Sequence, residues 1–179
     1  MRCGVAAALL PLAAVAACGG DDAPSTLPGG SDAAAGGTTP APAATSASAG
    51  QQVLAAYLRY WDAVIAAHAK ADPRSAGLAT VAADPELSKV RAAVDRNRIQ
   101  QISLRGTVAH TPGAIRTAGT GATVEDCYDI SGWNPVNTKT GAPIDVTEEG
   151  GTGRYRVRYT LRRSGAGWLV VTDAPLGGC

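Results

Sequence analysis

The chain has no phenylalanine, one methionine and two histidines among its 179 residues, and aromatic side chains make up only 4% of it. A core must therefore come from alanine, the branched aliphatics and a few tyrosines and tryptophans. An excess of charge of one sign is also missing: the formal net charge is +1, too small to single out nucleic acid or an acidic membrane as a partner of the whole chain. No uninterrupted apolar run reaches the roughly 20 residues that a spanning helix needs. A phosphate-cradling glycine loop before a helix and a serine nucleophile motif are absent from the sequence too. His68 and His110 stand far apart without a close cluster of cysteine or carboxylate around either, so no metal is expected, and nothing in the sequence asks for a cofactor. Length alone allows one ordinary domain plus extensions.

What is present begins with "MRCGVAAALLPLAAVAACGG". Arg2 precedes an apolar stretch from Val5 to Ala17, broken only by Pro11, which is signal-peptide length. Val15, Ala16 and Ala17 place one aliphatic and two small residues directly ahead of Cys18. This arrangement resembles the lipobox of bacterial lipoproteins. The resemblance implies a signal peptide over 1–17 and lipid, palmitate included, on Cys18, and it puts the chain on the outer face of the cell membrane. A cysteine with two or three acyl chains supplies the second chain that stable anchoring requires. The alternative is an ordinary secretory signal cut near "AVAA", with Cys18 a free thiol or a disulfide partner. Once Cys3 leaves with the signal and Cys18 is modified, Cys127 and Cys179 remain. In an exported domain such a pair suggests a disulfide, two unpaired thiols being the alternative.

From Cys18 to Gly50 the chain is rich in Ala, Gly, Pro, Ser and Thr, and Leu27 is its single large aliphatic residue. So little apolar surface cannot offset the entropy of ordering, and residues 18–50 read as a disordered tether. A folded domain is expected over 51–179. Its first segment repeats Val53, Leu54, Tyr57, Leu58, Trp61, Val64, Ile65 and His68 at helical spacing, and Asp72–Pro73 stops the helix. A weaker segment follows over 75–83. Asp84, Pro85 and Glu86 then open another helix as cap, first helical residue and dipole complement, with a thin stripe of Leu87, Val90 and Val94.

After residue 100 the period changes to two. Ile102, Leu104 and Val108 alternate with Ser103, Arg105 and Thr107, and "TPG" at 111–113 predicts a turn. Strands are expected in "ATVEDCYDI", "RYRVRYTL" and "GWLVVTDA", and 131–146 reads as a long surface loop. Helices first and strands afterwards imply an α+β domain with N-terminal helices packed on a curved antiparallel sheet. An aromatic-bearing first helix, shorter helices and a meander closing on "GWLVVTDA" resemble the cone of nuclear-transport-factor-two-like proteins, and small actinobacterial lipoproteins of unassigned function in particular. That family holds enzymes, ligand carriers and spacer domains, so the resemblance implies the fold and selects no activity.

In enzymes of that family an acid and a base sit inside the cone, which draws attention here to Tyr60, Asp62, His68 and Asp126. Asp62 falls off the apolar helix face and reads as solvated, while His68 lies one turn from the helix end, where carbonyls or solvent can satisfy it. Alternation puts Asp126 inward with Val124, Tyr128 and Ile130, unless an irregular strand turns it out, and a buried carboxylate needs a partner. Tyr57, Trp61, Asp126 and Tyr128 are the candidate pocket, against the alternative that the aromatics are plain core. Arg154, Arg156, Arg158 and Arg162 fall on one strand face, either to meet an anionic polymer or lipid head groups or to pair with Glu125 and Asp129. With one inward ionisable group and no second to act with it, the sequence predicts no catalytic residue. It predicts a lipid-anchored binding or interaction module, with membrane through Cys18 and a protein or small apolar ligand as partners and no nucleic acid. A small-molecule enzyme of the cyclase or isomerase type is the alternative.

Overall fold

In the computed structural model, residues 47–145, 153–165 and 167–179 are described; the expected signal peptide, Cys18 and nearly all of the expected tether lie outside them. Helix α1 spans Ala49–Lys70, starting two residues before the expected domain boundary. Ser48 accepts the Gln51 N–H while the Gln51 side chain returns to the Ser48 N–H, a reciprocal cap that explains this start. Its C-terminus closes on Ala71 in the left-handed conformation. Helix α2 covers Ala76–Val81 and α3 covers Glu86–Ile99. Pro85 takes the N-cap position of α3 rather than its first helical one, and Asp84, one residue earlier than a cap, accepts the Ser88 N–H on its side chain at 3.1 Å. No helix among the described residues is long and apolar enough to cross a membrane.

Six strands follow: β1 Ile102–Gly106, β2 Ala109–Ala118, β3 Gly121–Asp129, β4 Trp133–Asn137, β5 Arg154–Ser164 and β6 Gly167–Gly177. Strands β2-β3-β5-β6 form one antiparallel sheet, and β1-β4 form a separate pair. The domain is thus α+β, with helices on one face of a curved antiparallel sheet. Two expectations are corrected. "TPG" does not turn the chain but runs inside β2, where the register shifts between Pro112 and Ile115; β2 is an edge strand, and an edge tolerates a proline that has no N–H to give. The region 131–146 is not all loop, because β4 lies within it and pairs with β1. The chain changes sheets at Gly106, whose φ of +107° and approach to the Gly132 carbonyl leave no room for a side chain.

Alternation organises the larger sheet as expected. Ala122, Val124, Val157, Tyr159, Leu161, Trp168 and Val170 face inward and meet Val53, Ala56, Tyr57, Tyr60, Trp61 and Val64 of α1. In β1 it fails: Ser103 is the buried residue, and Ile102 and Leu104 are half-buried. This strand sits against α1 and α3, and its small serine allows close approach to the helices.

Candidate functional site

The inner face of the sheet holds a polar network made from three elements. On α1, Tyr57 and Trp61 are one turn apart, and the Trp61 Nε1–H donates to the Tyr57 hydroxyl at 2.8 Å. That hydroxyl donates to Asp126 Oδ2 of β3 at 2.6 Å. His110 of β2 brings its Nδ1 to the same oxygen at 2.7 Å. The other oxygen, Oδ1, accepts the Thr111 N–H at 2.8 Å. Pro112 stands opposite Asp126 in the ladder, and since proline has no N–H the carboxylate takes the neighbouring one. Asp126 therefore points inward, 1% exposed, and both its oxygens are bonded.

Rings surround this network. Trp61 lies 5.0 Å from His110 and 5.0 Å from Tyr128 between centroids, and Tyr57 lies 5.0 Å from Tyr159. The four residues of the candidate pocket thus come together, but as members of a tight aromatic packing in which Tyr57 is 0% and Trp61 7% exposed. Burial, with the Asp126 carboxylate next in importance, raises the Tyr57 hydroxyl far above the usual tyrosine range, so it stays a donor. Tyr159 and Tyr128 are raised as well, burial again being the main cause.

His110 is the residue of this network that sequence reasoning misses, and it corrects the expectation of one inward ionisable group with no second beside it. Its residue type raises only the question of a metal, yet it lies two residues beyond Val108, so the alternation that turns Asp126 inward places it inward too. A carboxylate oxygen can only accept, so opposite an ionised Asp126 the His110 Nδ1 is the donor, and in the neutral ring Nε2 is then the acceptor. Nε2 is buried and has no partner among the described residues, while the side chain as a whole is 13% exposed.

His68 and Tyr60 go elsewhere. His68 is buried rather than solvated: its Nδ1 meets the Asn97 amide at 3.2 Å and its ring packs edge-on against Trp133. Burial lowers its pKa to about 4. The Tyr60 hydroxyl donates to Glu86 at 2.6 Å, and Glu86 is buried beside Lys89. Desolvation raises the Glu86 carboxyl above its ordinary value, against the opposing pull of Tyr60 and Lys89. Charge alone assigns Glu86 to the helix dipole; its spacing of four from Val90 and eight from Val94 is the sign that it shares their buried stripe. Asp62 is exposed. Among the described residues, no three His, Cys, Asp or Glu side chains are grouped to hold a metal ion.

On the opposite face Cys127 and Cys179 form a disulfide that closes 52 residues. Cys127 alternates with Asp126 and so faces out, and the bridge fastens the end of β6 back to β3 across β5. The outer acids are engaged by arginines: Arg158 forks onto Glu125 at 2.7 and 3.0 Å, and Arg154 lies 4.0 Å from Asp129.

No family model and no curated protein matches the chain. Solved structures do. The intermembrane space region of the chloroplast protein ARC6 aligns with 74% of this chain and 99% of its own length, at a TM-score of 0.53 and 17% identity. An NTF2-like protein from Cytophaga hutchinsonii aligns with 69% of this chain and 97% of its own, at 0.41 and 14%. An NTF-2 like protein of unknown function from Shewanella oneidensis aligns with 69% and 98%, at 0.43 and 10%. At such identities the likeness concerns fold alone and assigns no chemistry.

Proposed function

We propose that this chain is a lipid-anchored extracytoplasmic lipoprotein, held by Cys18, whose nuclear-transport-factor-two-like domain acts as a binding or interaction module. The observation that carries the reading is the filling of the interior. Tyr57, Tyr159, Trp61 and Asp126 are between 0 and 7% exposed, and the carboxylate spends both oxygens on protein donors. Such a network specifies a unique core, and a general base must instead reach its substrate's proton.

The test has two arms. A Cys18→Ser chain should leave the membrane fraction for the medium or accumulate as precursor; wild-type chain in the aqueous phase of a detergent separation overturns the anchor. For the domain, His110→Gln should restore the phenotype of a deletion strain as fully as wild type, provided its melting temperature is unchanged. Failure to restore it overturns the module in favour of an enzyme. That second reading, a small-molecule enzyme of the cyclase or isomerase type, draws on the His110 Nε2, which has no partner among the described residues, with Asp126 orienting the ring.

A further inference from the structure

The outer face of the four-stranded sheet is a regular lattice whose charges do not balance. Register places Arg162 opposite Gly121, Thr160 opposite Thr123, Arg158 opposite Glu125, Arg156 opposite Cys127 and Arg154 opposite Asp129. On the next strand Arg116 lies opposite Thr123, extending the same face. Among the described residues five arginines thus share the face with two acids, and Arg158 and Arg154 already attend to those acids. Arg116, Arg156 and Arg162 are exposed; among the described residues none makes a close ion pair with an acid, although Arg156 and Arg116 act on Glu125 at longer range beside Arg158. Between them the face carries the hydroxyls of Thr123 and Thr160. Beside Arg116 lies a shallow depression of about 360 Å³ whose lining, with Ala118, Gly121 and Ala122 next to the threonines, is mostly apolar, so the donors for an anion are the arginines around it.

Guanidinium groups match phosphate oxygens with two parallel N–H bonds. A regular array of this kind suits a surface that itself presents many phosphates. We propose that the face docks on the anionic phospholipid headgroups of the membrane that holds the anchor. The inference rests on the anchoring proposed above for its setting. About 30 residues separate Cys18 from Ser48.

The experiment uses the full chain with Cys18→Ser, so that no lipid of its own contributes, and measures cosedimentation with vesicles. Phosphatidylcholine vesicles containing phosphatidylglycerol should bind it on the order of 100-fold better than pure phosphatidylcholine at low salt, since three arginines each contribute at a charged surface. High salt should erase the preference. The triple variant Arg116→Glu, Arg156→Glu, Arg162→Glu should lose it while melting like wild type; if that variant misfolds, the three Arg→Gln replacements should reduce it stepwise. Reversing Arg59, Arg74 and Arg96 on the helical side should leave it intact. Equal binding to both vesicles, or equal loss in the helical-side variant, overturns the proposal. So does tight binding to soluble heparin with none to vesicles, which would point to an anionic polymer. Every arm carries Cys18→Ser, so these failures leave the anchor itself to the fractionation test.

Discussion

The two faces of the same sheet treat charge in opposite ways. Along β3, Asp126 turns inward and Glu125 turns outward one residue before it. Asp126 is buried with bonds to Tyr57, His110 and Thr111, whereas Glu125 shares solvent with Arg158. Removing a buried acceptor strands its donors without water to replace it, while removing an exposed partner only returns the other to solvent. Charges inside therefore hold this structure in one arrangement, and charges outside are available for something else.

The largest effect is expected inside. Asp126→Ala leaves the Tyr57 hydroxyl, the His110 Nδ1 and the Thr111 N–H without their acceptor, and should cost about 3 to 5 kcal/mol in urea unfolding. A loss below about 1 kcal/mol would mean that water or a neighbour takes over, and the contrast between the faces would collapse. The disulfide is the exception on the outer face, because it acts on the unfolded chain. Closing 52 residues should contribute up to about 4 kcal/mol in the chain-entropy treatment. Replacing Cys127 and Cys179 together by serine should lower the melting temperature accordingly, with the β3–β5 ladder retained as judged by amide exchange.

His68 extends the inner-face rule to α1 and can be read by pH. Its pKa is about 4 when folded, against 6.5 for a free imidazole, so the folded chain binds fewer protons between those values. Stability from this group is complete above about pH 6.5, declines as the pH falls, and is lost by about pH 4, a change of about 3 kcal/mol. His68→Gln should flatten that part of the stability profile; an unchanged slope would show that the imidazole is reached by water. The smallest effect belongs to Glu125. The Arg158 guanidinium holds its carboxyl below the ordinary value, yet both partners are open to solvent, and Glu125→Gln should leave the melting temperature unchanged within error. A clear drop would mean that the outer pairs are part of the fold.

Local pattern carries much of this domain. Apolar residues at helical spacing locate α1, period two locates β3, β5 and β6, and the order of helices before strands leads to α+β. Pattern fails where a residue's local preference is overruled by what it meets. "TPG" is a turn former by composition, but β2 is an edge that accepts Pro112 and a bulge. Trp133–Asn137 resembles loop because it is short and holds a proline, and only pairing with β1 makes it a strand. Ser103 is buried because two helices cover it.

The candidate site divides the same way. Its residue types and directions are written locally: Tyr57 and Trp61 on the apolar helix face, and Asp126 and, by the same alternation carried further, His110 on inward strand positions. Which of these meet is a matter of register. His110 reaches Asp126 because β2 pairs antiparallel with β3, and Tyr57 reaches it because α1 crosses that sheet. The identity and facing of each side chain follow from the sequence, since periods of 3.6 and 2 are properties of the backbone. Partnership between residues 69 and 16 positions apart depends on how elements pack, and that was decided only in the tertiary structure.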